Sequence, residues 1–222
     1  SARDIGPLLD RLPERLRYYK VGLELFIGDG PAALQALQKR DKRIFLDLKL
    51  HDIPRTVARA VMNAARRGIA MLTVHAGGGR HMLTAAAEAA EQHGPGAPRL
   101  LAVTTLTSLD QGDLKEVGVA RDLKEHTAAL GTLAIEAGAH GLVCSPLEAE
   151  AFRSRLGPKP LLVTPGIRPA GADVGDQKRV ATAADAVRAG ASFLVVGRPI
   201  VKASDPGAAA EALLREVDEA AP

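Results

Sequence analysis

Two aspartates and a lysine interrupt an apolar stretch at positions 45–57, which reads FLDLKLHDIPRTV. Because burying a charge is costly, Asp47, Lys49 and Asp52 need a compensating role there. Successive residues of a β-strand face opposite sides, so Asp47 and Lys49 share one face, about 6 to 7 Å apart, and the intervening leucines share the other. Several charges collected in one pocket are typical of ionisable groups tuned for function. This stretch is therefore the candidate centre of a catalytic site.

A second lysine extends this charge cluster. Lys20 lies in the apolar segment YYKVGLELF on the preceding predicted strand, so it can face the same cavity as Asp47 and Lys49. Asp52 lies beyond the strand, where Ile53 and the proline after it hold it on a stiff corner before the next helix. Two lysines and two aspartates would then alternate in one pocket. The alternatives are a structural ion pair at a strand end and, for Lys20, a strand lysine that extends its ammonium to solvent.

Two segments near the end of the chain are typical of a phosphate site. The first, VTPGIRPAGADVGDQKRVAT, is a long connection rich in Pro and Gly, and loops of this length are usually lids or binding loops. It supplies Pro165, Arg168 and Gln177 as candidate binding residues. The second, LVVGRPI, ends a predicted strand at Gly197 and Arg198, where backbone N–H groups and a guanidinium can bind a phosphate. A plain turn with solvated arginines is the alternative.

Other polar residues at predicted strand ends carry a weaker signal. In VTTLTS, the hydroxyls of Thr107 and Ser108 can bond a ligand or cap a turn. In VHAGGGRH, His75 and His81 flank three glycines, but this spacing matches no established metal-ligand pattern. For that segment we predict a tight turn rather than a metal site.

The elements that must position these residues follow a repeating pattern. Seven short apolar segments are predicted strands: YYKVGLELF, RIFLDLKL, MLTVHA, RLLAVTTL, GLVCS, PLLVTPG and SFLVVG. Ala-rich stretches with helical spacing separate them, which favours a parallel sheet covered by helices. We predict an α/β fold, a (β/α)8 TIM barrel forming a single domain over residues 1–222, with a doubly wound open sheet as the alternative. The chain opens directly into a predicted helix over residues 1–16, so a first strand is missing and we expect residues before Ser1.

Composition narrows the class of protein. The net charge is +3 with scattered basic residues, aromatic content is 3% and Trp is absent, so nucleic acid is an unpromising partner. No apolar run approaches the roughly 20 residues needed to span a bilayer. Cys144 is the single cysteine, which rules out an internal disulfide and is typical of a cytoplasmic enzyme.

The motifs resemble those of a known family, the orotidine 5′-phosphate decarboxylases of the bacterial type. They occur in the family's order across nearly the whole chain: YKVGLELF, FLDLKLHDIPRTV, VHAGGG, AVTTLTS, VTPGIR, GDQKRVAT and VVGRPI. DLKLHDIP is the most specific of them. The resemblance implies a (β/α)8 homodimer that converts orotidine 5′-monophosphate to UMP and CO2 in pyrimidine synthesis, with neither a metal nor an organic cofactor.

The resemblance also implies a role for each candidate residue. The alternating charge network would consist of Lys20, Asp47, Lys49 and Asp52, with Lys49 as the proton donor. The neighbouring subunit would supply Asp52, Ile53 and Thr56. Thr107 and Ser108 would lie near the pyrimidine, and the remaining substrate-binding residues, mostly at the phosphate, would be Pro165, Arg168, Gln177, Gly197 and Arg198. The family's first strand ends in an aspartate that holds a ribose hydroxyl, and this sequence has no counterpart of it.

Two other functions compete with this interpretation. A related Mg²⁺-dependent branch acts on sugar phosphates and shares the Asp-x-Lys-x-x-Asp motif, but it carries a glutamate metal ligand where Lys20 stands, and a cation there would repel Mg²⁺. A non-catalytic barrel that binds nucleotide phosphates would need Arg168, Gln177 and Arg198 but not the charge cluster. Fold alone does not exclude the second function.

Overall fold

The computed structural model describes residues 1–169 and 180–221. In these ranges seven parallel strands form one sheet, and their order in the sheet follows their order in the chain. The strands are β1 Tyr18–Gly22, β2 Arg43–Leu50, β3 Met71–His75, β4 Arg99–Val103, β5 Gly141–Val143, β6 Leu161–Thr164 and β7 Phe193–Leu194. Each lies within one of the seven apolar segments predicted to be strands.

Helices connect and cover the strands. They are α1 Ile5–Leu9, α2 Leu23–Gln38, α3 Pro54–Arg66, α4 Gly79–His93, α5 Gln111–Glu116, α6 Leu123–Glu136, α7 Pro146–Leu156, α8 Ala183–Arg188, α9 Arg198–Val201 and α10 Pro206–Ala220. Short 3-10 turns precede α1 at Ala2–Asp4 and α4 at Ala76–Gly78. No helix in the described ranges combines the length and the apolarity needed to cross a membrane.

Two predicted boundaries near the start of the chain are wrong. The predicted helix over residues 1–16 contains only the first 3-10 turn and α1, which ends at Leu9. Pro13 cannot continue a helix, and it disfavours helical backbone at the residue before it. The predicted strand YYKVGLELF is too long, because β1 ends at Gly22 and the residues from Leu23 onwards begin α2. A short apolar run does not by itself distinguish a buried strand from a helix.

The sheet separates two apolar layers. On the helix side, the leucines that alternate with the charges of β2 pack as predicted, with Leu46 buried and Leu48 and Leu50 partly buried. The same layer takes leucines from other strands and apolar residues from α2, α3 and α4. The opposite, inner layer contains Phe45, Met71, Leu101 and Val163. Phe45 shares its strand face with Asp47, so the inner apolar layer continues towards the charged residues at the end of β2.

The sheet curls like a half-barrel. β1 and β7 lie at its two ends, yet the rings of Tyr18 and Phe193 on these strands meet edge to face with centroids 5.1 Å apart. A doubly wound sheet would reverse its strand order at a switch point, and this order does not reverse. The predicted α/β barrel class is therefore confirmed, and the doubly wound alternative is excluded. The curl brings the carboxyl ends of all the strands around one opening.

Candidate active site

An irregularity in β2 shapes the backbone of the charge cluster. Leu46 pairs with Leu72 of β3, and the next pair joins Leu50 to Val74, so positions 47–49 of β2 lie opposite Thr73 alone. Lys49 takes a left-handed backbone conformation with φ at +50°. Such a conformation is unfavourable for a residue with a side chain and persists only where its surroundings hold it. The regular strand assumed from the sequence is thus replaced by a bulge at the residues that carry the charges.

Asp47 stands at the centre of the cluster and binds both lysines. Its Oδ1 lies 2.9 Å from Nζ of Lys49, and its Oδ2 lies 3.4 Å from Nζ of Lys20. Only 14% of the Asp47 side chain is exposed, against about a third of each lysine side chain. A carboxylate that lies between two ammonium groups fixes the direction of both lysines. The structure therefore brings Lys20, Asp47 and Lys49 together, although the bulge differs from the predicted geometry.

Thr73 connects this cluster to β3. Its Oγ1 accepts a hydrogen bond from the backbone N–H of Lys49 at 2.8 Å and donates one to Oδ1 of Asp47 at 3.1 Å. Thr73 is fully buried. The sequence offered one signal for it, a threonine within the apolar strand MLTVH, but its partners depend on a strand register that the sequence does not show.

The cluster opens into a cavity of about 370 Å³, a size suited to a small-molecule ligand. Its polar wall includes Lys20, Asp47, Lys49, Thr105 and Thr107. Its apolar wall includes Phe45, Val103, Leu106, Val143 and Val195. The rest of its wall includes Pro165, Gly166, Arg168, Gly197 and Arg198. One cavity thus holds a cluster of opposite charges, an apolar surface for a flat ring and two guanidinium groups.

The predicted phosphate residues reach this cavity from two adjacent strand ends. Arg168 follows β6, where its backbone N–H donates to the carbonyl of Ala181 at 3.0 Å and its guanidinium donates to the carbonyl of Ile167 at 2.8 Å. Gly197 and Arg198 follow β7 at the start of the short helix α9. Gln177, the other predicted ligand of this group, lies outside the described residues.

Four predicted site residues do not line the cavity: Asp52, Ile53, Thr56 and Ser108. All four are exposed. Asp52 accepts a hydrogen bond from the backbone N–H of Ile53 at 2.6 Å, and Pro54 begins α3 as predicted. Ile53 is 67% exposed. Within one chain, Asp52 therefore does not line the cavity that holds the cluster it was predicted to join.

Two histidines lie beside Lys49. The rings of His51 and His75 stack with centroids 5.2 Å apart, and Nδ1 of His75 accepts a hydrogen bond from the backbone N–H of Gly77 at 3.2 Å. Burial lowers the pKa of His75, and the nearby His51 and Lys49 lower it further. His75 is thus kept neutral near pH 7. Among the described residues, no group of three His, Cys, Asp or Glu side chains is arranged to hold a metal ion.

Comparisons with known proteins agree with this architecture. The model of the "Orotidine 5'-phosphate decarboxylase / HUMPS family" matches residues 1–213. The chain is 52% identical over 217 residues to the orotidine 5′-phosphate decarboxylase of Moorella thermoacetica, covering 95% of this chain and 86% of that one. It is 57% identical over 194 residues to that of Anaeromyxobacter sp. (strain K), covering 87% and 84% of the two chains.

A solved structure shows the same fold. The crystal structure of orotidine 5′-phosphate decarboxylase from Lactobacillus acidophilus superposes with a TM-score of 0.85 and 38% identity, covering 97% of this chain and 94% of that one. The sequence and structural matches together extend over nearly the full length of the chain. The chain therefore belongs to the orotidine 5′-phosphate decarboxylase / HUMPS family.

Proposed function

We propose that this protein decarboxylates orotidine 5′-monophosphate to UMP and CO2 in pyrimidine biosynthesis, with Lys49 as the proton donor. The observation that carries the proposal is the 2.9 Å pair between Lys49 and Asp47 in a cavity that Arg168 and Arg198 also line. The substrate has a matching form, with a carboxylate on its pyrimidine ring and a phosphate at its other end. Relatives that are about half identical and carry this activity in their names support the assignment.

The reaction requires stabilisation of a carbanion. When the bond between C6 and the carboxylate breaks, the electron pair stays on C6, where the ring cannot easily delocalise it. The ammonium group of Lys49 stabilises this charge electrostatically and then transfers its proton to C6, giving UMP. The neutral amine regains a proton from solvent for the next turnover.

Asp47 has two roles in this mechanism. It directs the ammonium groups of Lys49 and Lys20, to which its two oxygens are bound. It also faces the substrate carboxylate, and the repulsion between the two anions is relieved as CO2 leaves. Lys20 partly neutralises Asp47, which makes the enclosed carboxylate tolerable.

The proposed phosphate-binding residues supply binding energy far from the bond that breaks. Arg168 and Arg198 provide guanidinium groups, Gly197 provides a backbone N–H, and Gln177 is the proposed fourth member. Such remote binding energy can orient the reacting ring over Lys49, so it contributes to turnover as well as to affinity. Thr107 and Pro165 line the cavity and complete the proposed contacts with the substrate. Ser108, which is exposed and does not line the cavity, is not placed among these contacts.

A homodimer completes the proposed site. Asp52, Ile53 and Thr56 are exposed around the corner that begins α3, and they lie outside their own chain's cavity. A second copy in a symmetric dimer would receive them, and Asp52 would then become the second carboxylate of the alternating network. We propose that residues 1–222 act as a single domain in each subunit.

The test of the function is a Lys49→Ala variant, assayed by the ultraviolet absorbance of orotidine monophosphate in the presence of EDTA. General acid catalysis and charge stabilisation are both lost, so we expect kcat to fall more than about 1000-fold. The matched control is Lys159→Ala, which removes an exposed lysine at a distant turn and should leave kcat unchanged. Circular dichroism should show both variants folded.

Two outcomes would contradict the proposal. Turnover by Lys49→Ala close to that of the unaltered protein would remove Lys49 from the proposed role. Activity of the unaltered protein that disappears in EDTA and returns with Mg²⁺ would favour the metal-dependent branch instead. The direct contact of Lys20 with Asp47 argues against that branch, because an ammonium group occupies the carboxylate that a metal would need.

A further inference from the structure

The bulge in β2 requires something to hold it. Three residues of β2 stand against one residue of β3, and the last of the three, Lys49, has a left-handed backbone. A bulge of this kind leaves ladder N–H and C=O groups without their regular partners. An unpaired N–H in a site that is largely withdrawn from water is unfavourable.

Thr73 supplies what the regular ladder does not. Its hydroxyl oxygen accepts the hydrogen bond of the Lys49 N–H at 2.8 Å, and its hydroxyl proton goes to Oδ1 of Asp47 at 3.1 Å. The same Oδ1 binds the ammonium of Lys49 at 2.9 Å. One buried hydroxyl therefore fixes both ends of the Lys49 residue, its backbone directly and its side chain through Asp47.

Thr73 is not a cavity residue. It is fully buried, and it does not line the cavity that contains Lys20, Asp47 and Lys49. Any effect it has on the reaction must pass through the residues that it holds. We propose that Thr73 is a positioning residue whose hydroxyl holds Lys49 in the left-handed backbone conformation that aims its ammonium group at the reacting carbon.

This inference rests on the proposed function, because it matters only if Lys49 donates the proton. It makes a distinct statement about kinetics. Loss of the hydroxyl leaves the proposed phosphate-binding residues and the apolar wall in place, so ground-state binding of the substrate should be retained. A displacement of about 1 Å at a reacting group is enough to reduce the rate of a chemical step by about 100-fold.

The experiment compares Thr73→Val, Thr73→Ser and Thr164→Val in the full chain. Valine keeps the shape of threonine without the hydroxyl, whereas serine keeps the hydroxyl. Thr164 is the matched control, since it is equally buried on β6 and its hydroxyl donates to the carbonyl of Phe193, outside the cluster. For each variant we would measure kcat, KM, the affinity for UMP and the midpoint of urea unfolding.

We expect Thr73→Val to lower kcat by about 10- to 100-fold, with KM and UMP affinity within about threefold of the unaltered protein. Thr73→Ser should restore kcat to within about threefold, and Thr164→Val should leave it unchanged even if both valine variants lose similar stability. A folded Thr73→Val protein with full kcat, or a Thr73→Ser protein as impaired as Thr73→Val, would overturn the inference. An inactive Lys49→Ala beside a fully active Thr73→Val overturns this inference alone, whereas an active Lys49→Ala overturns the proposed function and this inference together.

Discussion

At the scale of single residues, His140 shows how a side chain can replace part of the backbone ladder. It precedes β5, where its backbone N–H donates to the carbonyl of Leu100 at 2.9 Å and its Nδ1 accepts from the N–H of Leu100 at 3.1 Å. Only the neutral imidazole can accept that bond. Burial lowers the pKa of His140 from its ordinary value of 6.5, Arg99 lowers it further and Glu91 opposes them.

This arrangement predicts a loss of stability in mild acid. Well above pH 6.5, His140 is neutral in both the folded and the unfolded chain. Below that pH, the unfolded chain takes up a proton at His140 more readily than the folded chain does, because the pKa is lowered in the folded chain. The free energy of unfolding should therefore fall as the pH decreases from 7 to 5. In His140→Asn, whose carbonyl oxygen can accept the same bond without titrating, the fall should be smaller. Urea unfolding at several pH values measures how the free energy of unfolding changes with pH in the unaltered protein and in His140→Asn. An equal pH dependence in the two proteins would contradict the prediction.

Strand parity was enough to predict the meeting of the charged residues, but not the residue that holds them. The alternation of Leu46, Leu48 and Leu50 with the charged residues is visible in the sequence, and these leucines pack against the helices. The role of Thr73 depends on how β2 is registered against β3, which no local pattern specifies. The exposure of Asp52 likewise depends on the path of the corner after β2.

At the scale of elements, Arg153 joins three segments at the amino-terminal ends of the strands. From the last turn of α7, its guanidinium donates to the carbonyls of Gly157, Pro160 and Gly190 at 2.8 to 3.3 Å and to Oγ of Ser192 at 3.2 Å. These acceptors precede β6 and β7. Because hydrogen bonds to a charged donor are stronger than neutral ones, this side chain stabilises the packing of α7 against the sheet.

We expect Arg153→Met to lower the free energy of unfolding by about 2 to 3 kcal/mol, because it leaves several half-buried carbonyls without a donor. Turnover should be unchanged, since the contacts lie at the end of the sheet opposite the cavity. Arg155→Met on the same helix removes an exposed arginine and should change stability by less than about 0.5 kcal/mol. Urea unfolding compares the three proteins, and equal midpoints for the two variants would contradict the prediction.

The strands were predictable as elements because each is a short apolar run bounded by turn residues, and all seven predicted segments contain one. The start of α2 was not predictable, since the mostly apolar run LELF from Leu23 is compatible with either a strand or a helix. Their helical conformation depends on packing: Leu25 and Phe26 lie against the helix-side layer of the core. Tertiary contacts of this kind override local preference.

At the scale of the whole molecule, the dimer can be tested by complementation. If each site combines Lys49 of one subunit with Asp52 of the other, the Lys49→Ala and Asp52→Ala proteins are each inactive alone. A mixed dimer has one site that lacks both groups and one intact site. Random exchange of equal amounts should therefore restore about a quarter of the activity of the unaltered protein.

The assay is the absorbance of orotidine monophosphate after co-refolding the two variants, with each variant refolded alone as the control. A mixture as inactive as its components would contradict the sharing of sites between subunits. The order of the seven strands was predictable from the alternation of strands and helices, but the sequence alone gave no contact between subunits. Only the resemblance to a family suggested that Asp52 belongs to a neighbour's site.

The excess of cations over carboxylates around the cavity affects how strongly substrate and product are attracted to it. The described residues that line the cavity include four cations and one carboxylate. The cations are Lys20, Lys49, Arg168 and Arg198, and the carboxylate is Asp47. Cations would remain in excess even with Asp52 from a second subunit. Their combined field should attract the substrate, which carries a carboxylate and a phosphate, more strongly than UMP, which keeps only the phosphate. The loss of CO2 thus weakens the long-range attraction on the nucleotide that remains, and the chemical step itself favours departure of the product.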